Sequence, residues 1–258
     1  MGSPSTAVAE EPSSRLRAYR RLAGLLLLFA LCVVPHLLAR LFGRSPWPRR
    51  FLMGVAWIAG ADVRCEGTRA SRGTLLLANH VSWLDIPILS GATGCAFVSK
   101  SEVKNHWFLG WIADQNETIY IDRTDRRSIH GQVAALTDGL KRPQPLALFP
   151  EGTVGDGGGT LLPFKPSLLS AVAPPPEGVV IRPAAIDYGV VAPVIGWGTG
   201  EPGLDNFFRV LGRKGRFPVV VRLLPAIAPD PDRKILARAA HDAIASALAP
   251  SGMAPARV

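Results

Sequence analysis

The feature that most constrains this chain is a series of short, unbroken apolar runs that begins at residue 61. Most runs are continuous rather than alternating in polarity, which is typical of strands covered by helices on both faces. The runs lie at 61–66, 74–78, 95–99, 118–122, 146–149, 179–186 and 218–224. Helical stretches accompany them at 85–90, 107–114, 127–140 and 231–248. The alternation predicts an α/β fold with a mixed, mostly parallel central sheet flanked by helices.

The chain before these strands has a different character. Its first residues are small and polar, which predicts a disordered tail. Arginines then precede a nearly unbroken apolar run at 22–39, and a second apolar segment at 51–63 is too short to span a membrane. A tail, a membrane-associated helical segment and a folded domain are therefore expected at 1–14, 15–60 and 61–258.

Four interpretations of the first apolar run stay open. The first interpretation is a cleaved signal peptide, but the small-x-small cleavage site that should follow the apolar run is missing from the sequence. A single spanning helix would reach about 27 Å, just under the ~30 Å apolar core of a bilayer. A hairpin of both apolar segments would instead lie in the membrane interface, with Trp47 and Trp57 at the headgroup level and the intervening arginines near lipid phosphates. The fourth interpretation is a buried core helix. The two membrane interpretations are favoured.

Composition narrows the functional classes. Lys and Arg total 29 against 20 Asp and Glu, a net charge of +9, which favours anionic partners such as lipid headgroups or phosphorylated substrates. The 48% hydrophobic content excludes a disordered chain, and a single run of near-spanning length excludes a polytopic membrane protein. The three cysteines share no pair motif with each other or with histidine. This excludes a disulfide framework and a cysteine-based zinc site.

The first block with chemical potential directly follows the run at 74–78. Asn79 and His80 come at its end, and Asp85 stands five residues after His80. Ser82 can cap a helix whose first turn contains Asp85, so that its carboxylate points back towards His80. Such a pair fixes the imidazole tautomer and raises its basicity, as a general base requires. The alternative is that Asp85 only stabilises the helix terminus and His80 is a packed polar residue.

The second block is a turn after the run at 146–149, formed by Phe149, Pro150, Glu151, Gly152 and Thr153. Proline followed by Glu-Gly predicts a stiff turn that exposes the Glu151 carboxylate above the sheet edge, although an ordinary solvated glutamate would fit as well. Lys100 and Arg123 stand at the ends of two other runs. Either cation could hold a phosphate or a carboxylate, or form a surface ion pair. The glycine-rich segment 153–160 reads as a flexible loop.

Several familiar sites are missing from the sequence. There is no G-x-S-x-G nucleophile elbow, no G-x-x-x-x-G-K-[ST] phosphate loop and no H-E-x-x-H zinc motif. No nucleic-acid-binding motif accompanies the arginines, so we do not expect a nucleic-acid partner.

Taken in order, the blocks resemble the glycerophospholipid acyltransferase family, the group that contains 1-acylglycerol-3-phosphate acyltransferase. Asn79, His80 and Asp85 match its N-H-x-x-x-x-D block. Its other three blocks are matched by Ile121-Asp122-Arg123, by Phe149 to Thr153, and by Ile181-Arg182-Pro183-Ala184. The resemblance covers roughly residues 65–225, and it implies that 61–258 is an acyltransferase domain.

The resemblance implies transfer of a fatty acyl group from acyl-CoA or acyl-carrier protein to the hydroxyl of a lysolipid. His80 would be the general base and Asp85 would orient it. Phe149 to Thr153 would shape the acceptor site, with backbone amides near this turn binding the oxyanion. No metal or dissociable cofactor is implied. A bacterial-type inner membrane and its cytoplasmic face are expected, because lysolipids reside in bilayers and acyl thioesters are made in the cytoplasm.

One departure from the family pattern bears on the acceptor. The family's third block often continues with arginine and serine, where this chain has Val154 and Gly155. Lys100, Arg123 and Lys165 are the candidates to compensate for the missing cation. We expect 1-acyl-glycerol-3-phosphate as acceptor, giving phosphatidic acid, with lyso-ornithine lipid as the alternative because the glycine-rich version of the block also resembles enzymes that acylate it. A non-catalytic membrane-binding protein and a lipid hydrolase are the rival classes.

Overall fold

The computed structural model of the chain describes residues 13–121 and 129–249. In these residues the strands are β1 (Ala61–Glu66), β2 (Thr74–Ala78), β3 (Ala96–Lys100), β4 (Ile119–Ile121), β5 (Leu146–Leu148), β6 (Val180–Asp187) and β7 (Phe217–Leu223). The α-helices are α1 (Arg15–Leu41), α2 (Trp47–Ala59), α3 (Asp85–Thr93), α4 (Trp107–Gln115), α5 (Ile129–Leu140), α6 (Ala192–Ile195), α7 (Gly203–Gly212) and α8 (Arg233–Leu248). The 3-10 helices within the described ranges lie at Ser101–Asn105, Pro166–Val172 and Gly189–Val191.

The seven strands found in the described part of the chain form one sheet in the order β1-β7-β6-β2-β5-β3-β4. Every neighbouring pair is parallel except β6 and β7, which are antiparallel. The predicted mixed, mostly parallel sheet is therefore confirmed, and each strand lies within one or two residues of its predicted position. The carboxyl ends of β2, β3, β4, β5 and β6 all meet at one edge of the sheet.

Alternate side chains of β2 divide between two apolar layers. Leu76 and Ala78 pack with helices α2, α3 and α7, whereas Leu75 and Leu77 pack with α5, α8 and the 3-10 helix Pro166–Val172. All five residues of β2 are buried, because helices cover both faces of the sheet. This explains why the strand reads as a continuous apolar run rather than an alternating one.

Helices α1 and α2 form a hairpin whose second helix packs against α3, with Gly91 close to the backbone of Met53. The predicted pair of apolar helices is thus present. Both ends of α1 are attached to the same domain. Arg17 Nε donates to the Gly212 carbonyl at 3.0 Å near the start of the helix, and His36 Nε2 lies 2.9 Å from Gln115 Oε1 near its end.

Helix α1 is long and apolar enough to cross a membrane by length and composition, and only 11% of its most apolar window is buried. It is therefore not a core helix. Its exposed positions recur every three or four residues along one stripe. From residue 23 onward every exposed position of the helix except Arg40 is apolar: Ala23, Leu26, Leu27, Ala30, Leu31, Val34, Leu37, Leu38 and Leu41.

Some features differ from the expectations. Helix α7 was not predicted, because glycines at both ends of its ten residues mask a short amphipathic pattern; it forms because it packs against α1, with the rings of Tyr19 and Phe208 6.0 Å apart. Helix α3 also runs three residues further than expected, to Thr93. Most of the predicted tail lies outside the described residues. Within them, Ser14 caps α1 and donates its backbone N–H to Gly212.

Candidate active site

Three strands that share the carboxyl edge of the sheet each lead into one functional side chain. His80 follows β2, Glu151 follows β5 and Tyr188 follows β6. Asn79 ties the first and third of these turns together: its Nδ2 donates to the Ile186 carbonyl at 3.0 Å, and Ile186 N–H donates to its Oδ1 at 2.7 Å. A short polar side chain thus fixes the strand ends against each other from a buried position.

His80 and Asp85 are in direct contact, with His80 Nδ1 2.9 Å from Asp85 Oδ2. The same carboxylate oxygen accepts the N–H groups of Val81 at 2.6 Å and Ser82 at 2.8 Å, and Tyr188 Oη donates to its other oxygen at 2.6 Å. Four donors therefore stabilise the negative charge of a fully buried carboxylate. Because this carboxylate can only accept, Nδ1 of His80 carries the hydrogen and Nε2 is left as the basic nitrogen.

The imidazole is held on a second side by an aromatic ring. His80 stacks on Phe149 with ring centroids 4.1 Å apart and planes inclined by 12°, and Phe149 stacks in turn near Phe97 at 5.7 Å. The His80 side chain is 14% exposed, and it lines a cavity of about 910 Å³. Packing and Asp85 thus orient the ring, and a molecule in the cavity can still reach it.

Glu151 is turned inward rather than exposed above the sheet edge as expected. Only 3% of its surface is exposed, and its Oε1 accepts the His80 backbone N–H at 2.7 Å. Burial raises the pKa of this carboxyl to about 8, with a further contribution from the negative charge of Asp85, although the hydrogen bond from His80 acts in the opposite direction. Glu151 is therefore largely protonated at neutral pH, which makes it a hydrogen-bond donor as well as an acceptor.

The first half of the glycine-rich segment packs against the wall of the cavity at Gly155 and Gly157, whereas residues 158–160 are exposed. Gly155 N–H donates to the His80 carbonyl at 2.8 Å, and Trp197 N–H donates to the Val81 carbonyl at 3.1 Å. Gly157 has φ of +73°, and a Cβ there would collide with the Ala192 carbonyl. The glycines allow two backbone segments to approach closely beside the histidine.

Two of the predicted cations, Lys100 and Lys165, do not line the cavity around His80. Arg123 and Asp122 lie outside the described residues, and Lys100 is an exposed residue at the end of β3. Lys165 lines a separate concavity of about 550 Å³ beside Thr153, together with Arg233 and Lys234. Glu151 borders both this concavity and the His80 cavity. Among the described residues that line the His80 cavity, the one Lys or Arg is Arg222, which pairs with Asp187 at 2.6 Å.

Backbone groups of the turn from Phe149 to Thr153 are hydrogen-bonded within the protein. Pro150 is buried and its carbonyl accepts the Lys165 N–H at 2.8 Å, while Gly152 adopts φ of +70° and donates its N–H to the Phe149 carbonyl at 3.2 Å. The Gly152 amide, one of those expected to bind an oxyanion, is therefore already engaged. Within the described residues no cluster of three His, Cys, Asp or Glu side chains could hold a metal ion.

Sequence reasoning missed Tyr188, Arg222 and Trp197. The signal for Tyr188 was its place directly after β6, at the same sheet edge as His80. Burial beside Asp85 raises the pKa of the Tyr188 phenol well above the usual range. The hydroxyl therefore stays protonated and donates a hydrogen bond to Asp85. Arg222 and Trp197 come from distant segments and carry no local signal.

The arrangement equips the cavity with a basic nitrogen that can take a proton from a hydroxyl. A carboxylate behind the ring stabilises the imidazolium that results, and it needs no proton of its own to do so. The hydrogen bonds that the structure gives His80 join it to Asp85, Glu151 and Gly155, none of which is a serine or cysteine, and this fits direct attack by a bound hydroxyl rather than attack by the protein.

Comparison with known proteins agrees with this chemistry. Residues 62–187 match a family model described as acyltransferase. A lyso-ornithine lipid O-acyltransferase from Pseudomonas aeruginosa is 35% identical over 91% of this chain and 95% of that protein. One from Rhizobium meliloti is 34% identical over 71% of this chain and 67% of that protein. A 1-acyl-sn-glycerol-3-phosphate acyltransferase from Neisseria gonorrhoeae is 36% identical over 46% of this chain and 48% of that protein.

A solved structure shares the fold. The 1-acyl-sn-glycerophosphate acyltransferase PlsC from Thermotoga maritima superposes with a TM-score of 0.55 at 18% identity, covering 90% of this chain and 97% of that chain. The chain matches the Pseudomonas aeruginosa relative almost end to end, so the similarity extends well beyond the four short motifs. The chain therefore belongs to the glycerophospholipid acyltransferase family and is a lysolipid O-acyltransferase.

Proposed function

We propose that this enzyme transfers a fatty acyl group from an acyl thioester to the hydroxyl of a lyso-ornithine lipid, with His80 as general base. The observation that carries the proposal is the contact between His80 Nδ1 and Asp85 Oδ2 at 2.9 Å, on the wall of a cavity large enough for lipid headgroup and thioester. No metal or dissociable cofactor takes part in this scheme.

In this mechanism the acceptor hydroxyl oxygen attacks the thioester carbonyl carbon as His80 Nε2 takes the hydroxyl proton. The imidazolium that forms is stabilised by the Asp85 carboxylate. The tetrahedral intermediate then collapses, the C–S bond breaks, and the departing thiolate takes the proton from His80. General-base assistance of this kind is typically worth about 10²–10⁴ in rate.

Two observations support lyso-ornithine lipid as the acceptor. Relatives bearing that name match this chain over 71% and 91% of its length, whereas the Neisseria 1-acyl-sn-glycerol-3-phosphate acyltransferase matches 46%. The described lining of the His80 cavity offers a single guanidinium, and Asp187 balances its charge. Such a cavity suits a headgroup with both a carboxylate and an amine better than a phosphate. The order of the two acceptors expected from the sequence is thereby reversed.

A second acceptor, 1-acyl-glycerol-3-phosphate, is favoured by the separate concavity beside Glu151. Lys165, Arg233 and Lys234 surround it, and Thr153 adds a hydroxyl. A phosphate held there would lie next to Glu151, which borders both this concavity and the His80 cavity. Product analysis with both acceptors decides between the two.

We place the enzyme at the cytoplasmic face of the membrane, with the α1–α2 hairpin lying in the interface. A helix that crosses the bilayer has its two ends on opposite sides, about 30 Å apart. Here Arg17 near one end of α1 and His36 near the other both bond to the catalytic domain. That attachment supports a helix lying along the surface with its apolar stripe towards lipid. Acyl-carrier protein or coenzyme A would bring the donor from the cytoplasm.

The test combines two acceptors with two donors. The full-length enzyme in mixed micelles is offered lyso-ornithine lipid or 1-acyl-glycerol-3-phosphate, each with acyl-carrier protein or coenzyme A thioester, and products are identified by mass spectrometry. We expect O-acylated ornithine lipid as the main product. His80→Ala should lower the rate by about 10²–10⁴-fold. His241→Ala is the matched control, because His241 also lies beside an aspartate, Asp242, but on the surface.

Three results would contradict the proposal. Unchanged turnover in His80→Ala would remove the base. Failure of both acceptors would remove the acceptor class. Release of free fatty acid without an acceptor would assign the site to a hydrolase.

A further inference from the structure

An aromatic patch on helix α4 lies outside the hairpin. Trp107, Phe108 and Leu109, at the start of the helix, are all exposed, with Trp107 at 86% and Leu109 at 55%. Within the described residues they form the most exposed run of three large apolar side chains in the domain after residue 60. Large consecutive apolar side chains of this kind on a surface mark a contact with another apolar body.

The α4 patch, defined as Trp107 to Leu109, is continuous with the apolar stripe of α1. The ring of Phe108 lies 5.6 Å from that of Phe29 on α1, and Trp107 lies 5.5 Å from Phe108. Phe29 also contacts Trp111, one turn along α4. Phe29 is half-buried, and the exposed stripe residues Leu26 and Ala30 stand three residues before it and directly after it. One apolar surface therefore runs from the hairpin onto the catalytic domain.

Two lysines stand next to the patch in the chain. Lys100 and Lys104 are exposed just before α4, and Lys104 Nζ lies over the Tyr120 ring at 5.6 Å. Arg44 is not one of this group, because it pairs with Glu117 beyond the other end of α4. Glu102 is the acidic residue among the exposed positions 100–109. Tryptophan beside lysine is the combination found at the headgroup level of bilayers, and anionic lipids add attraction.

The position of the patch relates it to catalysis. Residues 101–106 join the carboxyl end of β3 to α4, and β3 runs parallel to β5, which runs parallel to β2. Trp107 thus lies at the sheet edge that also carries His80. A membrane contact there would hold the active-site edge against the lipid surface, where the hairpin alone would leave it free to tilt away.

We propose that Trp107, Phe108 and Leu109 insert into the interface of an anionic bilayer as a second anchor, separate from the hairpin. The inference rests on the proposed membrane-surface function and adds to it the contact that sets the orientation of the active site. The occupant is a lipid bilayer, because the patch continues the apolar stripe of α1 and is bordered by lysines.

The experiment measures insertion and partition with the full-length protein. Vesicles of phosphatidylcholine and phosphatidylglycerol carry brominated acyl chains, which quench tryptophans that insert. Wild-type fluorescence should be quenched, and Trp107→Phe should lose part of the quenched signal. The double variant Trp107→Ser/Leu109→Ser should partition roughly tenfold more weakly. Ile235→Ser is the matched control, since Ile235 is 53% exposed on α8, across the sheet.

The outcomes separate the two proposals. If wild-type protein binds no vesicles, both the membrane placement and the α4 anchor are wrong. If wild-type protein binds, but the double variant partitions equally well or Trp107→Phe leaves the quenching unchanged, the α4 anchor alone is wrong. If the double variant loses affinity for acyl-carrier protein and not for vesicles, the patch is a protein-docking surface and the anchor is again overturned. Thermal unfolding of each variant verifies that the fold is intact.

Discussion

Tyr188 Oη lies 2.6 Å from Asp85 Oδ1, although 103 residues separate the two in the chain. The contact joins the turn after β6 to the first residue of α3, behind the imidazole of His80. It gives the carboxylate a partner for the oxygen that His80 does not use, so that Asp85 is held in one orientation. In the proposed mechanism Tyr188 would therefore be a positioning residue that acts on His80 through Asp85.

Tyr188→Phe should lower kcat about tenfold and leave the acceptor KM unchanged, because the hydrogen bond to a charged group is lost while the ring still fills its site. Steady-state kinetics with saturating thioester measure the two parameters. Tyr120→Phe is the control, since Tyr120 Oη donates to Asp114 on the surface. Equal kcat for Tyr188→Phe and wild type would show that Asp85 needs no such support.

Asp85→Asn should be more damaging. An amide has one acceptor oxygen, so it cannot receive the N–H groups of Val81 and Ser82, the hydroxyl of Tyr188 and Nδ1–H of His80 as the carboxylate does. The imidazole would then adopt the wrong tautomer or lose its counter-charge. We expect kcat to fall by about 10³–10⁴-fold, as when a buried aspartate of a catalytic triad is replaced. A fall of less than tenfold in single-turnover measurements would contradict the assignment.

Glu151→Gln should change how stability depends on pH. The folded-state pKa of Glu151, about 8, lies above the ordinary value of a glutamate, so the folded chain keeps a proton that the unfolded chain releases. The stability of the wild type should therefore fall as pH rises from about 4.5 to about 8. The amide does not titrate, so the variant should gain about 4 kcal/mol relative to wild type across this window.

Denaturant unfolding of both proteins at pH 5 and pH 8.5 measures that difference, and groups common to both proteins cancel. If the free energies of unfolding of wild type and variant changed in parallel with pH, the carboxyl would not be protonated in the folded state.

Gly157→Ala should disturb the cavity wall, whereas Gly159→Ala should not. Both glycines have positive φ, +73° and +93°, so both substitutions carry the same kind of backbone strain. A Cβ at Gly157 would also collide with the Ala192 carbonyl, while the space around Gly159 is open. We expect the first variant to lose at least about 2 kcal/mol more stability than the second. Thermal unfolding and turnover compare them; equal effects would contradict the packed-wall description.

The two acceptors should respond differently to loss of the basic concavity. Lys165→Ala/Lys234→Ala removes two of the three cations beside Thr153. If a phosphate binds there, KM for 1-acyl-glycerol-3-phosphate should rise about tenfold. Turnover of lyso-ornithine lipid should be unaffected, because the His80 cavity keeps its own lining. Lys141→Ala, a surface lysine paired with Asp138, is the control. An equal rise in KM for both acceptors would mean that they share one headgroup site.

Much of the fold could be predicted because its signals are local. The continuous apolar runs of β2 and β5 located those strands and the residues that follow them, so His80 and the turn at Phe149 were found at strand ends. Asp85 lies within one turn of His80, and its contact needs no distant partner. The close contacts at Gly155 and Gly157 were not predicted, since the groups they meet come from segments about 35 to 75 residues away.

The sequence by itself determined the strands, the two apolar helices and the His80–Asp85 pair, because each depends on residues adjacent in the chain. Only the tertiary structure decided that β7 runs antiparallel to β6, that Glu151 faces inward, and that Tyr188 reaches Asp85. These features depend on which elements pack together. Burial and the close approach of distant groups arise from that packing, and no local pattern of residue types encodes them.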